Sequence, residues 1–203
     1  MGEIIGQLHL ALAKIEDCVS EADLLSTVRD WAIPKSKEAL GLSEDFCRSY
    51  QTTFSGLYPR LPRQIIHRDP NPGNIICADD RWGFIDFELA EHSDNDGVDF
   101  NFTIVHTLEA GKTYVYAATA GLSETFDGCN EGWLDIYRDI LWGYDSAVHL
   151  TDAERQAVPY VILANQFVCV AWFAEQEQDL ELFETNRRMT KWLIDRFDAL
   201  GEL

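Results

Sequence analysis

The hydrophobic period of the chain changes twice, and this change limits the folds available to it. Apolar residues recur at helical spacing over residues 3–57. Short β-type runs replace that pattern over residues 64–87, where Pro- and Gly-rich segments separate them. The helical period returns after residue 97. We therefore expect a mainly helical α+β fold, a helical bundle with one small antiparallel sheet in the middle of the chain.

Local signals predict where several helices begin. Ser43, followed by two acidic residues, is typical of a helix start, and Thr151 with Glu154 three residues later is typical of a capping box. The first helix is expected to bury one face that carries Ile4, Ile5, Leu8, Leu12 and Ile15. Later helices are predicted over residues 97–110, 131–149, 152–175 and 179–200.

Charge and hydropathy exclude two classes of partner. The chain has 35 Asp and Glu residues against 16 Lys and Arg residues, a formal net charge of -19. A nucleic-acid-binding surface needs the opposite sign, so we expect no nucleic-acid partner. The most apolar stretch, residues 158–174, is short for a bilayer span and contains polar side chains, which favours a buried core helix and no membrane.

The cysteines and the first residues indicate a cytoplasmic protein. Five cysteines, odd in number and without C-x-x-C spacing, favour neither a disulfide framework nor a zinc site. The first 17 residues carry no basic leader and no small-residue cleavage site, so we interpret them as a helix and not as a signal peptide.

Residues 65–99 contain the side chains most suited to chemistry. His67, Asp69 and Asn74 form an H-x-D-x-x-x-x-N pattern, and Asp86 ends a later apolar run. Phosphoryl transfer needs a carboxylate that takes or orients the proton of the attacking hydroxyl, and oxygen ligands that hold magnesium against the nucleotide phosphates. Asp69 suits the first role, and Asn74 with Asp86 suits the second.

HRDPNPGN and FIDFE resemble the catalytic core of the aminoglycoside phosphotransferase and choline kinase family, the small-molecule branch of the protein-kinase-like superfamily. The resemblance implies that Asp69 is the catalytic base and that Asn74 and Asp86 bind magnesium and, through it, the nucleotide cofactor. It also implies that His67 supports the catalytic loop and that Asp99 braces this loop from a following helix.

Two departures from protein kinases favour the small-molecule branch. Phe87-Glu88 stands where protein kinases have Phe-Gly, and Pro-Asn-Pro-Gly stands where they have Leu and three variable residues. The resemblance implies a kinase-like C-terminal lobe in three parts. These parts are a helical platform over 1–63, catalytic and metal-binding loops over 64–99, and a helical substrate-side subdomain over 100–203.

A kinase-like enzyme also has an N-terminal lobe with a Gly-rich turn and a Lys-Glu pair. The chain has no G-x-G-x-x-G, so we expect that lobe to be absent. Three explanations for its absence remain open. The start of the gene is assigned too late, the lobe is supplied by another chain, or the protein is a degenerate relative kept for binding. An apolar face left where the lobe docks would favour association, so a homodimer or a partner chain is expected.

The resemblance implies a phosphotransferase that uses ATP or GTP with Mg²⁺ and acts on a small hydroxylated molecule. The negative charge favours a cationic acceptor, which it would steer toward the site. The alternative is a catalytically silent binding or regulatory module, or a truncated fragment, built on the same lobe.

Two later groups of side chains have both a functional and a structural interpretation. Glu131, Asp135 and Asp139 are spaced four apart, which predicts either a grip for an amine or a solvent-facing stripe. Tryptophans in the late helices are interpreted as packing residues that could also line an acceptor pocket: Trp133, Trp142 and Trp172.

Overall fold

The computed structural model describes residues 1–14, 24–61, 67, 74–79, 81–87, 132–176, 178 and 180–201. Its α-helices are α1 (Gly2–Leu12), α2 (Leu24–Thr27), α3 (Ile33–Leu40), α4 (Glu44–Leu57), α5 (Gly132–Val148), α6 (Asp152–Ala174), α7 (Leu180–Asp195) and α8 (Phe197–Leu200). A π-helical turn (Val28–Ala32) joins α2 to α3, and a 3-10 turn (Tyr58–Arg60) follows α4. Two strands, β1 (Ile75–Ala78) and β2 (Arg81–Phe84), complete the described elements. The mainly helical α+β class is confirmed.

Two predicted helix starts are confirmed by their side-chain caps. The Ser43 hydroxyl accepts a hydrogen bond from the Phe46 backbone N–H at 3.2 Å, at the start of α4. At the start of α6 the Thr151 hydroxyl accepts from the Glu154 N–H, and the Glu154 carboxylate accepts from the Thr151 N–H. Each cap satisfies backbone donors that the first helical turn would leave unpaired.

The helices predicted after residue 131 agree with the structure except in one place. The ranges 131–149 and 152–175 correspond to α5 and α6, whereas the helix predicted over 179–200 is divided at Arg196 into α7 and α8. The break brings Phe197 against the Tyr160 ring at 4.9 Å, and lets the Leu200 carbonyl accept a hydrogen bond from the Tyr137 hydroxyl. The helix predicted over 97–110 lies outside the described residues.

Helix α6 forms the centre of the core. Its residues from Val161 to Phe167 are buried on every side. The Ser36 hydroxyl of α3 donates to the Phe167 carbonyl at 2.9 Å, and the Tyr50 hydroxyl of α4 donates to the Tyr160 carbonyl at 2.6 Å. Among the described helices, α6 alone is long and apolar enough to cross a membrane, and 67% of its apolar window is buried. This burial fits the core-helix interpretation.

Helix α1 packs on α5 through glycines, and this corrects the predicted face. A Cβ atom at Gly2 would lie 1.8 Å from the Ile140 carbonyl oxygen, and one at Gly6 would lie 2.6 Å from the Ala147 Cβ. The buried residues of α1 are Gly2, Ile5, Gly6 and His9, while Ile4, Leu8 and Leu12 are only partly buried. Small residues define the face because they allow the two backbones to approach closely. Ile15 lies outside the described residues.

The two strands form the predicted antiparallel hairpin. Ile75 pairs with Phe84, Ile76 with Gly83, and Cys77 with Trp82. Asp79 turns the chain with a φ of 54°, a left-handed conformation that Asp tolerates better than most residues. Because directly opposed residues share a face, Ile76 and Gly83 lie on one side of the hairpin and Cys77 and Trp82 on the other.

Candidate functional site

The backbone of Ile85 joins two residues of the predicted motif. Its N–H donates to the Asn74 carbonyl at 3.0 Å, which extends the hairpin ladder by one pair beyond β2. Its carbonyl accepts a hydrogen bond from Nε2 of His67 at 2.9 Å. Asp86 is the next residue in the chain. The structure therefore brings His67, Asn74 and Asp86 to the same end of the hairpin, although β2 ends at Phe84 and not at Asp86 as predicted.

His67 is fully buried beside this junction. Its ring lies 5.8 Å from the Phe84 ring and 4.3 Å from the Phe87 ring, between centroids. Because a carbonyl oxygen can only accept, Nε2 carries the proton in the bond to Ile85. The imidazole thus fixes the backbone immediately before Asp86 and is shielded from solvent. The supporting role of His67 in the catalytic loop stays a prediction, and this contact is compatible with it.

Asp86 has an unusual backbone conformation. Its φ is 66°, in the left-handed region, and its side chain is exposed. A non-glycine residue in this region costs roughly 1–2 kcal/mol, although aspartate is among the residues that adopt it most readily. Residues held in such conformations are concentrated at functional sites, where surrounding contacts maintain them. Here the flanking contacts are the two hydrogen bonds of Ile85.

Asn74 and Asp86 have the chemistry that magnesium requires. Asn74 is 9% exposed, and its amide oxygen and the Asp86 carboxylate are hard oxygen donors of the type that Mg²⁺ prefers. Among the described residues no group of three or more His, Cys, Asp and Glu side chains could hold a metal ion. The donor set fits magnesium, with two protein ligands and the remainder expected from water and phosphate.

Asp69 and Asp99, the predicted base and the predicted brace, lie outside the described residues. The junction at Ile85 was not predicted, because a residue that acts through its backbone leaves no side-chain signal. The exposure of Ile76 and Ile85, at 49% and 45%, was also not predicted. Both side chains lie on the Gly83 face of the hairpin, where the glycine leaves the surface between them open.

The tryptophans of the late helices differ in exposure, and their proposed role in lining a pocket stays a prediction. Trp142 is 77% exposed and Trp172 is 40% exposed, so neither is enclosed among the described residues. The side chain of Trp133 lies outside them. The exposed Asp135 and Asp139 share the outer face of α5, and Asp135 pairs with Arg138 at 3.7 Å. This arrangement favours the solvent-facing stripe, while Glu131 lies outside the described residues.

Comparison with known proteins agrees with the motif. Residues 1–95 match the model of the phosphotransferase enzyme family, APH. The structure is similar to a glucosamine kinase (crystal form B) at 15% identity and a TM-score of 0.59, covering 94% of this chain and 50% of that one. It is also similar to a glucosamine kinase in complex with glucosamine, ADP and inorganic phosphate, at 16% identity and a TM-score of 0.60, covering 97% and 54%.

The chain thus spans about half the length of these glucosamine kinases. No curated protein matches it. At such identities the structural likeness concerns the fold, and the likeness to the phosphotransferase family rests on residues 1–95, which contain the motif. The resemblance to the aminoglycoside phosphotransferase family is therefore confirmed over residues 1–95, on a chain with the kinase-like fold.

Proposed function

We propose that this chain is the catalytic-loop lobe of a small-molecule kinase, which transfers the γ-phosphoryl group of ATP or GTP to a hydroxyl group. The observation that carries the proposal is the junction at Ile85, which holds His67 and Asn74 beside Asp86. The family match over residues 1–95 and the ADP complex of a similarly folded glucosamine kinase support it.

The proposed step needs one base and one metal site. The acceptor hydroxyl oxygen attacks the γ-phosphorus, its proton passes to the Asp69 carboxylate, and the bond to the β-phosphate oxygen breaks to release the nucleoside diphosphate. Asn74 and Asp86 would hold Mg²⁺, which when bound neutralises charge on the phosphates. Catalysis then depends on positioning and electrostatic stabilisation, since the protein forms no covalent bond.

The hairpin offers a surface for the nucleotide base. Ile76 and Ile85 expose apolar side chains on the face that Gly83 leaves flat; Ile85 is paired with Asn74, and Ile76 lies two residues further along β1. A planar base placed there would cover apolar surface that water otherwise contacts. We propose that the same face contacts the expected partner. An N-terminal lobe, or a second copy in a homodimer, would close over the base and complete the site.

The net charge and the structural likeness support one class of acceptor. A net charge of -19 favours a cationic molecule, and a similarly folded kinase binds glucosamine. We propose a small hydroxylated, amine-bearing acceptor, and a cytoplasmic enzyme, where ATP and Mg²⁺ are both present.

The test is calorimetric titration of ATP with and without Mg²⁺, combined with a transfer assay on amino sugars and choline-like alcohols. We expect Asp86→Asn to remove the Mg²⁺-dependent part of ATP binding, and Asp69→Asn to leave binding intact while lowering transfer by at least about a hundredfold. Asp135→Asn is the matched control, because it removes an equal charge from the outer face of α5.

Transfer that is unchanged in both Asp69→Asn and Asp86→Asn would contradict the proposal. Mg²⁺-dependent ATP binding without transfer to any acceptor would instead favour the silent binding module.

A further inference from the structure

A concave site lies outside the 64–99 segment. It is a groove of about 510 Å³ between the C-terminal half of α4, the first turns of α6 and the end of α8. This volume is within the usual range for small-molecule sites. Its lining residues are Thr53, Leu57, Arg155, Gln156, Tyr160 and Gly201.

Arg155 is the one charged residue among these lining residues. Its Nη2 donates to Oδ2 of Asp145 at 2.6 Å, and Oδ1 of Asp145 accepts from the Leu150 N–H at 2.7 Å. Asp145 therefore fixes the guanidinium through one nitrogen. The Nε and Nη1 nitrogens make no hydrogen bond within the described part of the chain, and a guanidinium with two unbonded nitrogens suits an oxyanion.

The groove also has an aromatic lining residue, Tyr160, whose ring is held in place by its neighbours. The Tyr160 ring packs against the Tyr50 ring at 5.6 Å and against the Phe197 ring at 4.9 Å, between centroids. These contacts hold the ring in place while part of it still faces the groove, next to Leu57. An aromatic wall that is already ordered binds a flat ring with little loss of side-chain entropy.

The polar groups at the rim have hydrogen-bonding capacity to spare. Across the described residues the hydroxyls of Thr53 and Tyr160 and the amide of Gln156 make no hydrogen bond to other protein groups. All three can donate as well as accept. The groove thus combines one partly open cation, three neutral donors and an aromatic wall.

We propose that this groove binds a small anion that presents a carboxylate or phosphate group to Arg155 and a flat ring to Tyr160 and Leu57. None of its lining residues belongs to the predicted catalytic motif, so the groove is a site distinct from that motif. The α4 wall leads directly into the 3-10 turn before His67, which makes the groove suited to an effector molecule.

Phenyl phosphate is a suitable probe because it carries both parts. In calorimetric titration of the whole chain we expect a dissociation constant of roughly 0.1–1 mM, and binding of inorganic phosphate at least about tenfold weaker because it has no ring. Benzoate has the same ring with a carboxylate in place of the phosphate, so it tests whether the groove binds carboxylates. If it binds and phenyl phosphate does not, the groove takes carboxylates; the reverse indicates phosphate esters.

Three variants locate the binding. Arg155→Gln should lower the affinity for phenyl phosphate at least about tenfold. Thr53→Trp, at an exposed helix position, should fill the groove and abolish binding. Arg48→Gln is the control, since it removes an equal charge from α4 outside the groove. Circular dichroism checks that each variant is folded, and Thr53→Trp keeps the test decisive if Arg155→Gln unfolds.

The proposal is overturned if neither aromatic anion binds at about 10 mM. It is also overturned if Thr53→Trp leaves binding unchanged, or if Arg48→Gln weakens it as much as Arg155→Gln does. Binding that Asp86→Asn abolishes would place the probe in the nucleotide site and contradict the proposal as well.

Discussion

Nδ1 of His9 and the hydroxyl of Tyr144 lie 2.7 Å apart in the interior, although 135 positions separate them in the sequence. Both residues are 1% exposed, and their rings meet edge to face at 5.4 Å. The pair adds a polar contact to the glycine contact between α1 and α5. It fixes how far α1 can slide along α5, because a hydrogen bond tolerates less displacement than apolar packing does.

A double-mutant cycle measures this pair. We expect Tyr144→Phe and His9→Leu each to lower the free energy of unfolding by about 1–3 kcal/mol, because each leaves a buried polar group without this partner. The double variant should recover part of the loss, with a coupling energy of about 0.5–3 kcal/mol in urea unfolding. Strictly additive losses would show that the hydrogen bond contributes nothing to stability.

The glycine contact predicts opposite effects at two helical glycines. Gly6→Ala should destabilise the protein by about 1–3 kcal/mol, because the new methyl group overlaps Ala147 and crowds the Tyr144 carbonyl. Gly56→Ala in α4, where a Cβ meets nothing within 4 Å, should stabilise it by about 0.5–1 kcal/mol. Thermal unfolding of both variants checks the sign, and equal shifts would argue against close packing of α1 on α5.

His67 is predicted to act as a positioning residue for Asp86. His67→Ala removes the donor to Ile85, so we expect at least about a tenfold loss of kcat and a loss of about 1–3 kcal/mol in stability. His67→Gln, which can still donate to a carbonyl, should restore part of the kcat. The assays are run at low temperature, where both variants are folded. If His67 only fills space, the kcat of His67→Gln should be no higher than that of His67→Ala.

The pKa of Glu175 reports the contact of the end of α6 with the π-helical turn and α3. The Trp31 indole N–H, at 3.2 Å, and then the Lys35 ammonium hold the pKa of this carboxyl below its usual value. A depressed pKa stabilises the fold fully above the unfolded pKa, near 4.5, and the contribution is lost as pH falls through the folded pKa.

NMR titration of the carboxyl carbons checks this prediction. Trp31→Phe should raise the pKa of Glu175 toward its usual value, and added salt should reduce only the part that Lys35 supplies. Glu184, whose pKa Arg187 lowers from within α7, is the internal control and should not move. A Glu175 pKa that is the same in Trp31→Phe would remove the indole as its cause.

The sequence predicted secondary-structure elements and motif spacing more accurately than it predicted which helix faces pack together. The starts at Ser43 and Thr151 and the hairpin after Asn74 follow from local chemistry, which a single segment contains. The face of α1 was wrong because apolar periodicity counts large side chains, whereas the contact with α5 uses Gly2 and Gly6. A close approach of two backbones that are far apart in the sequence leaves no pattern in either segment.

The candidate site likewise combines a feature that the local sequence predicts with contacts that it does not predict. The order of His67, Asn74 and Asp86 in the sequence predicted a common position, because a tight hairpin between Asn74 and Asp86 returns the chain to its starting point. The hydrogen bonds that hold them belong to the Ile85 backbone, and any residue except proline could provide those groups.

The glycine contact also has a consequence for the order in which the protein assembles. Among the described elements the main partner of α1 (Gly2–Leu12) is α5 (Gly132–Val148), so its buried face stays uncovered until the chain has been made past residue 148. At ribosomal speeds this interval is roughly ten seconds. Among the described elements α3 and α4 likewise pack on α6, so α1, α3 and α4 acquire these partners late in synthesis and expose apolar surface to chaperones until then.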